Sequence, residues 1–224
     1  MRERTGQSVD LRTMKTEQLI NAIARDAVTR PSFVRSFLCA AALGIAADAL
    51  IFFAAIGARP DIAAAAETWR FLFKFVVTLS LAVPATILVY RLGAPALWTR
   101  CRLRPLALPL FLLLSATLAE LDLVPSSQWM VRLVGSNSVN CITLIPLLAL
   151  TPLACFLVLL RDGAPRDPGL TGAIAGLAAS AIAATFYALN CFDDSPLFVI
   201  TWYPLAAAIV VAAGYLCGRR FLVW

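Results

Sequence analysis

The chain has 224 residues, of which 61% are hydrophobic and only 14% charged. A soluble domain carries about 45–50% apolar and about 25% charged residues, so this composition excludes an ordinary soluble enzyme and points to a polytopic membrane protein. The net charge of +6 has a simple source in such a protein, because Lys and Arg collect in cytoplasmic loops during insertion; no direct nucleic-acid contact is expected. The sequence also lacks histidine, which removes imidazole acid–base catalysis, histidine metal ligation and histidine proton relays.

Residues 1–35 form the only sizeable polar segment and are read as a cytoplasmic N-terminal unit, followed by a transmembrane domain over 36–224. The first apolar run begins only near Ser36, so no cleaved secretory signal is expected. A short amphipathic helix is predicted from Thr16 to Ala27, with Thr16 as N-cap and Glu17 in the first turn, where an acid complements the helix dipole. Leu19, Ile20, Ile23, Ala24 and Ala27 share one face of it. That face suits a partner protein, a membrane surface or the protein's own loops. Pro31 ends or turns the segment before the membrane.

Six apolar segments follow, each near the ~20 residues needed to cross ~30 Å of hydrocarbon. They are placed at Ser36–Ala58, Phe71–Tyr90, Pro105–Leu123, Cys141–Leu160, Leu170–Leu189 and Leu197–Cys217. The fold expected is therefore all-α, a six-helix transmembrane bundle. In the fifth segment Gly172, Gly176, Ala179 and Ala183 form a small-residue stripe, whose default role is close helix packing. With the N-terminus inside, 15 of the 19 Lys and Arg fall on the inner side, and only Arg59, Arg70, Lys74 and Arg132 do not. That asymmetry predicts an N-in, C-in topology.

The same topology sends two Asn-Cys dipeptides, Asn140-Cys141 and Asn190-Cys191, to the outer surface. Thiols exposed at that rim are reachable by oxidants or soft metal ions, and an oxidising compartment permits a disulfide between them. Asp193 and Asp194 are placed to serve as auxiliary metal ligands. A plain structural disulfide and two unpaired buried thiols remain as alternatives. Cys39, Cys101, Cys155 and Cys217 read as small apolar fillers. Asp48, midway along the first span, marks either a site or a buried hydrogen-bonding group, with Lys74 as a candidate partner. The two together carry the rival reading, a small transporter or channel. No nucleophile–base pair or phosphate loop appears, so no enzymatic activity and no resident cofactor are expected.

Three stretches resemble the NrsF/OsrA-like family of six-span bacterial membrane proteins. They are Met14-Lys15-Thr16-Glu17-Gln18-Leu19-Ile20, the pair Cys141 and Cys191 with Cys191-Phe192-Asp193-Asp194-Ser195-Pro196-Leu197-Phe198, and the tail Gly218-Arg219-Arg220-Phe221-Leu222-Val223-Trp224. The resemblance covers nearly the whole chain from Met14, the expected natural start. It implies an anti-sigma factor that holds an extracytoplasmic-function sigma factor through the N-terminal helix. The outward cysteines would then sense heavy-metal or oxidative stress. Asn190 stands where relatives often carry histidine, which weakens any histidine-assisted metal binding.

Overall fold

A computed structural model describes residues 33–94, 104–163 and 165–222. The predicted helix from Thr16 to Ala27, with its face of Leu19, Ile20, Ile23, Ala24 and Ala27, lies outside the described residues, as does Cys101. The described residues contain eight α-helices and no strand. They are α1 (Phe33–Ala55), α2 (Ile62–Ala66), α3 (Trp69–Gly93), α4 (Ala107–Leu123), α5 (Trp129–Val134), α6 (Ser138–Arg161), α7 (Pro168–Tyr187) and α8 (Pro196–Phe221).

The six long helices are apolar enough to cross a membrane, and each overlaps one predicted segment. Helical backbone is the form such segments must take, because hydrocarbon offers no partner for a free N–H or C=O. Their ends extend past the apolar runs where local chemistry allows. Proline occupies the first helical position of α7 and of α8, where its missing N–H is not needed. At α7 the Asp167 carboxylate also accepts a hydrogen bond from the Leu170 N–H at 2.9 Å. The short helices α2 and α5 were not foreseen; five and six residues are too few to show a period.

Helix α7 is the spine of the bundle. Most of its residues are buried, and α3, α6 and α8 pack around it while α1 lies against α6. The reason is visible in its composition of Gly and Ala. A Cβ added to Gly172 would strike the carbonyl oxygen of Gly214, and one added to Gly214 would strike the carbonyl of Gly172. Ala179 and Ala183, further along the stripe, have no exposed surface. In lipid, where apolar association has no hydrophobic drive, such close backbone approach supplies the van der Waals energy. The small-residue stripe is thus a packing device.

Successive long helices run in opposite directions, so the start of α1 and the end of α8 share one end of the bundle. At that end Phe33 stacks on Tyr90 of α3, and Phe37 packs against the same ring at a tilt. Beyond these rings, an apolar cleft of about 600 Å³ separates α1 from α3. Helix α4 is peripheral, with few buried side chains.

Gly172→Val should lower the thermal midpoint in detergent by the equivalent of about 1–3 kcal/mol or more, since a side chain there overpacks against backbone. Leu216→Val, on the outward face of α8, should leave it within about 0.5 kcal/mol.

Candidate functional site: an ion-paired loop over two buried thiols

The polar chemistry of the described residues gathers at the opposite end, around the loop 188–195. Lys74, in the second turn of α3, has no exposed surface. Its ammonium donates to the Cys191 carbonyl at 2.8 Å and pairs with the Asp194 carboxylate, Nζ to Oδ1, at 2.5 Å. Arg59 approaches from the loop after α1. It donates to Asp194 Oδ2 at 3.0 Å, to Asp61 at 2.7 Å and, more weakly, to the Cys191 carbonyl at 3.4 Å. Its guanidinium also lies 4.7 Å from the Phe192 ring centroid, a cation–π contact. Two cations therefore face two carboxylates in one largely buried cluster.

Backbone bonds fix the same loop. The Arg59 N–H donates to the Leu189 carbonyl, and the Asn190 amide to the Gly57 carbonyl, each at 3.0 Å. On the other side, Asp193 Oδ2 accepts the N–H groups of Ser136 and Asn137 at 2.9 and 2.8 Å. It thereby caps the start of α6 from more than fifty residues away and adds an anion at the helix's positive end. Gly135 makes this approach possible: its φ of +57° favours glycine, and a Cβ there would collide with Asp193 and Phe198.

Glu120, at the end of α4, plays the same part for α8. Its buried carboxylate accepts from the Ser195 hydroxyl at 2.7 Å and the Leu197 N–H at 3.2 Å. It also pairs with Arg132 at 3.0 Å and Arg70 at 3.6 Å. Arg59, Asp61, Glu120, Arg70 and Arg132 were not singled out from sequence. A signal was present nonetheless: the four cations that break the basic-residue asymmetry, Arg59, Arg70, Lys74 and Arg132, all sit here in ion pairs.

Cys141, in the first turn of α6, and Cys191 both belong to the buried core of the bundle and flank Tyr187. The Cys191 N–H donates to the Tyr187 carbonyl, and the Tyr187 hydroxyl donates to the Asn137 carbonyl that also takes the Cys141 N–H. Both are free thiols. The expected exposure at a rim is overturned: each has 0% of its surface accessible. The loop folds down because Lys74 and Arg59 pull on the carbonyl and the neighbouring carboxylate of the residues that carry the sulfur. Burial pushes the Cys191 thiol above its ordinary value, partly opposed by the Lys74 charge. The Arg59 guanidinium holds the Asp61 carboxyl below its own.

Lys74 is not the partner of Asp48. It is committed to Asp194 and Cys191, and both Asp48 oxygens are buried without a hydrogen bond. Among the described residues no group of three or more Cys, Asp or Glu side chains is arranged to hold a metal ion. Asp193 and Asp194 are instead taken up by helix capping and ion pairing.

Six apolar helices on a Gly/Ala spine define a multi-pass membrane protein without a soluble catalytic domain among the described residues. The chain belongs to the NrsF family: the family model described as "Negative regulator of sigma F" matches residues 22–224. It is 32% identical over 216 residues to the "Probable anti-sigma-F factor NrsF" of Azospira oryzae, covering 94% of this chain and 100% of that protein. It is 31% identical over 214 residues to the "Anti-sigma-F factor NrsF" of Caulobacter vibrioides, again covering 94% and 100%. No solved structure matches it.

Asp194→Asn should destabilise the protein by about 3 kcal/mol, because it strands a buried ammonium, measured as a thermal shift in detergent. The pH profile of that midpoint should fall at both margins. Asp61's pairing contribution is present above its ordinary 3.8 and is lost as pH drops through its lower folded value. The folded chain also disfavours the Cys191 thiolate, so stability falls as pH rises past the ordinary thiol value of 9.0. Cys191→Ser should reduce the alkaline fall and leave the acid one.

Proposed function

We infer that this protein is a membrane-bound anti-sigma factor of the bacterial inner membrane. It sequesters an extracytoplasmic-function sigma factor at the cytoplasmic face through residues 14–30 and releases it on heavy-metal or oxidative stress. The observation that carries the reading is the match, along nearly the full chain, to two proteins named as anti-sigma-F factors. The excess of Lys and Arg around the end where α1 begins supports placing that end inside. The ion-paired loop and the two thiols then face the outer compartment.

In this reading Leu19, Ile20, Ile23, Ala24 and Ala27 supply the apolar face that holds the sigma factor. Cys141 and Cys191 supply the input. Their placement around Tyr187 at one end of the bundle suits a disulfide formed by an oxidant, or capture of a soft cation by two thiolates. Shifting sigma from mostly bound to mostly free requires about 5.5 kcal/mol of differential interaction. A new covalent or thiolate–metal bond at one end of a packed bundle is of that order.

Deleting residues 14–30 should raise transcription of the cognate regulon at least tenfold without stress, while the spans still insert. Unchanged transcription would refute sequestration by this segment. Cys141→Ser and Cys191→Ser should each abolish induction by oxidant or by soft metal while leaving basal repression intact, read by a reporter fused to the regulon. An undiminished response in the double variant would remove the sensing role.

A further inference from the structure

The thiols proposed as the input are sealed, so something must decide when a reagent reaches them. The cluster that seals them is unusual in where it pulls. Lys74 and Arg59 both donate to the main-chain carbonyl of Cys191 itself, and both hold Asp194, three residues on. Arg59 lies beneath the half-exposed ring of Phe192, between these anchors. Lys74 reaches the cysteine's own backbone from α3, and Arg59 reaches it from the loop after α1. Remove the charges, and Cys191 keeps its N–H bond to the Tyr187 carbonyl at the end of its own helix, with the ties of Leu189, Asn190, Asp193 and Ser195 to either side, but its carbonyl loses both cations.

We propose that Arg59, Lys74 and Asp194 form an electrostatic latch that governs access to Cys141 and Cys191, independent of the two sulfurs' own chemistry. Closed, the latch keeps water and polar reagents from the thiols. Open, it hydrates them together, since both flank Tyr187: the Cys191 N–H donates to its carbonyl, and its hydroxyl donates to the Asn137 carbonyl that also takes the Cys141 N–H. Burial also raises the Cys191 thiol above its ordinary range, so opening increases reactivity by acidity as well as by access. The latch thus sets the threshold of the response: it separates species able to displace a guanidinium–carboxylate pair from those that merely react with surface thiols. Its regulatory meaning rests on the reading of the thiols as input, but whether it opens is a property of this chain alone.

The test uses the full-length protein in nanodiscs, where both faces are in reach, with Cys39, Cys101, Cys155 and Cys217 replaced by serine. A sulfonated maleimide is added and the labelled residues are counted by mass spectrometry over time. The unaltered latch should give slow labelling of Cys141 and Cys191. Arg59→Gln and Asp194→Asn should each raise the rate at least tenfold for both cysteines, and Arg59→Lys should return most of the protection. Equal rates with and without the latch, fast or slow, would overturn the proposal. So would a rise in Arg59→Gln that Arg59→Lys does not reverse, because the effect would then be loss of fold and not loss of charge. Regulon expression is not read in this experiment, so its failure would leave the anti-sigma assignment standing.

Discussion

An ammonium group with no contact to solvent governs the polar end of this protein. Lys74 is carried there by the apolar helix α3, and a charge in such surroundings is tolerated only when paired and hydrogen-bonded. Its two partners, the Cys191 carbonyl and the Asp194 carboxylate, lie on the same loop. Once they are engaged, the loop has little freedom. Asp194 then needs a second cation on its outer side, which Arg59 supplies, and Arg59 in turn takes Asp61. The cluster closes with balanced charge, and the burial of the two thiols follows from it.

The acids flanking this cluster do a different job. Asp193 and Glu120 each sit at the first turn of a long helix to which they do not belong, α6 and α8. Both helices start without a side-chain cap of their own, so these remote carboxylates satisfy N–H groups that would otherwise have no partner. Ser195 and Leu197, which Glu120 holds, and Asp193 lie within six residues of Cys191. The stretch that bears the sulfur is therefore also the stretch that anchors two of the six spans. A displacement of Cys191 cannot stay local.

How much of this could be read from the residues alone depended on range. The spans were plain because hydrocarbon imposes a long uninterrupted apolar run, and the Gly172–Gly176 stripe declared its packing role through size. Their ends were less so, since Ser138, Pro168 and Pro196 continue a helix on capping chemistry and not on hydropathy. The position of Cys141 and Cys191 at one end of the bundle was legible from span direction. Their burial was not, because it depends on Arg59 reaching Asp194 across 135 positions of sequence, a contact no local pattern encodes. The pairing of Lys74 went astray for a related reason. The residues offer Asp48, midway along its own span, as an acid for it, whereas the loop acid Asp194 folds back to claim the lysine. The exceptions to the basic-residue asymmetry held the missing information, for a cation stranded on the wrong side calls for an acid to meet it.

The central helix has a mechanical corollary. From Gly169 to Ala184 the buried face of α7 is built mostly of alanine and glycine, residues with no side-chain rotamers to exchange. A core of larger residues can relay a disturbance by flipping one side chain against the next. This one has almost no such moving parts, and its neighbour α8 touches it backbone to backbone. Whatever passes from one face of the bundle to the other must travel as a slide or tilt of entire rods, in the manner of a push-rod and not of a row of dominoes.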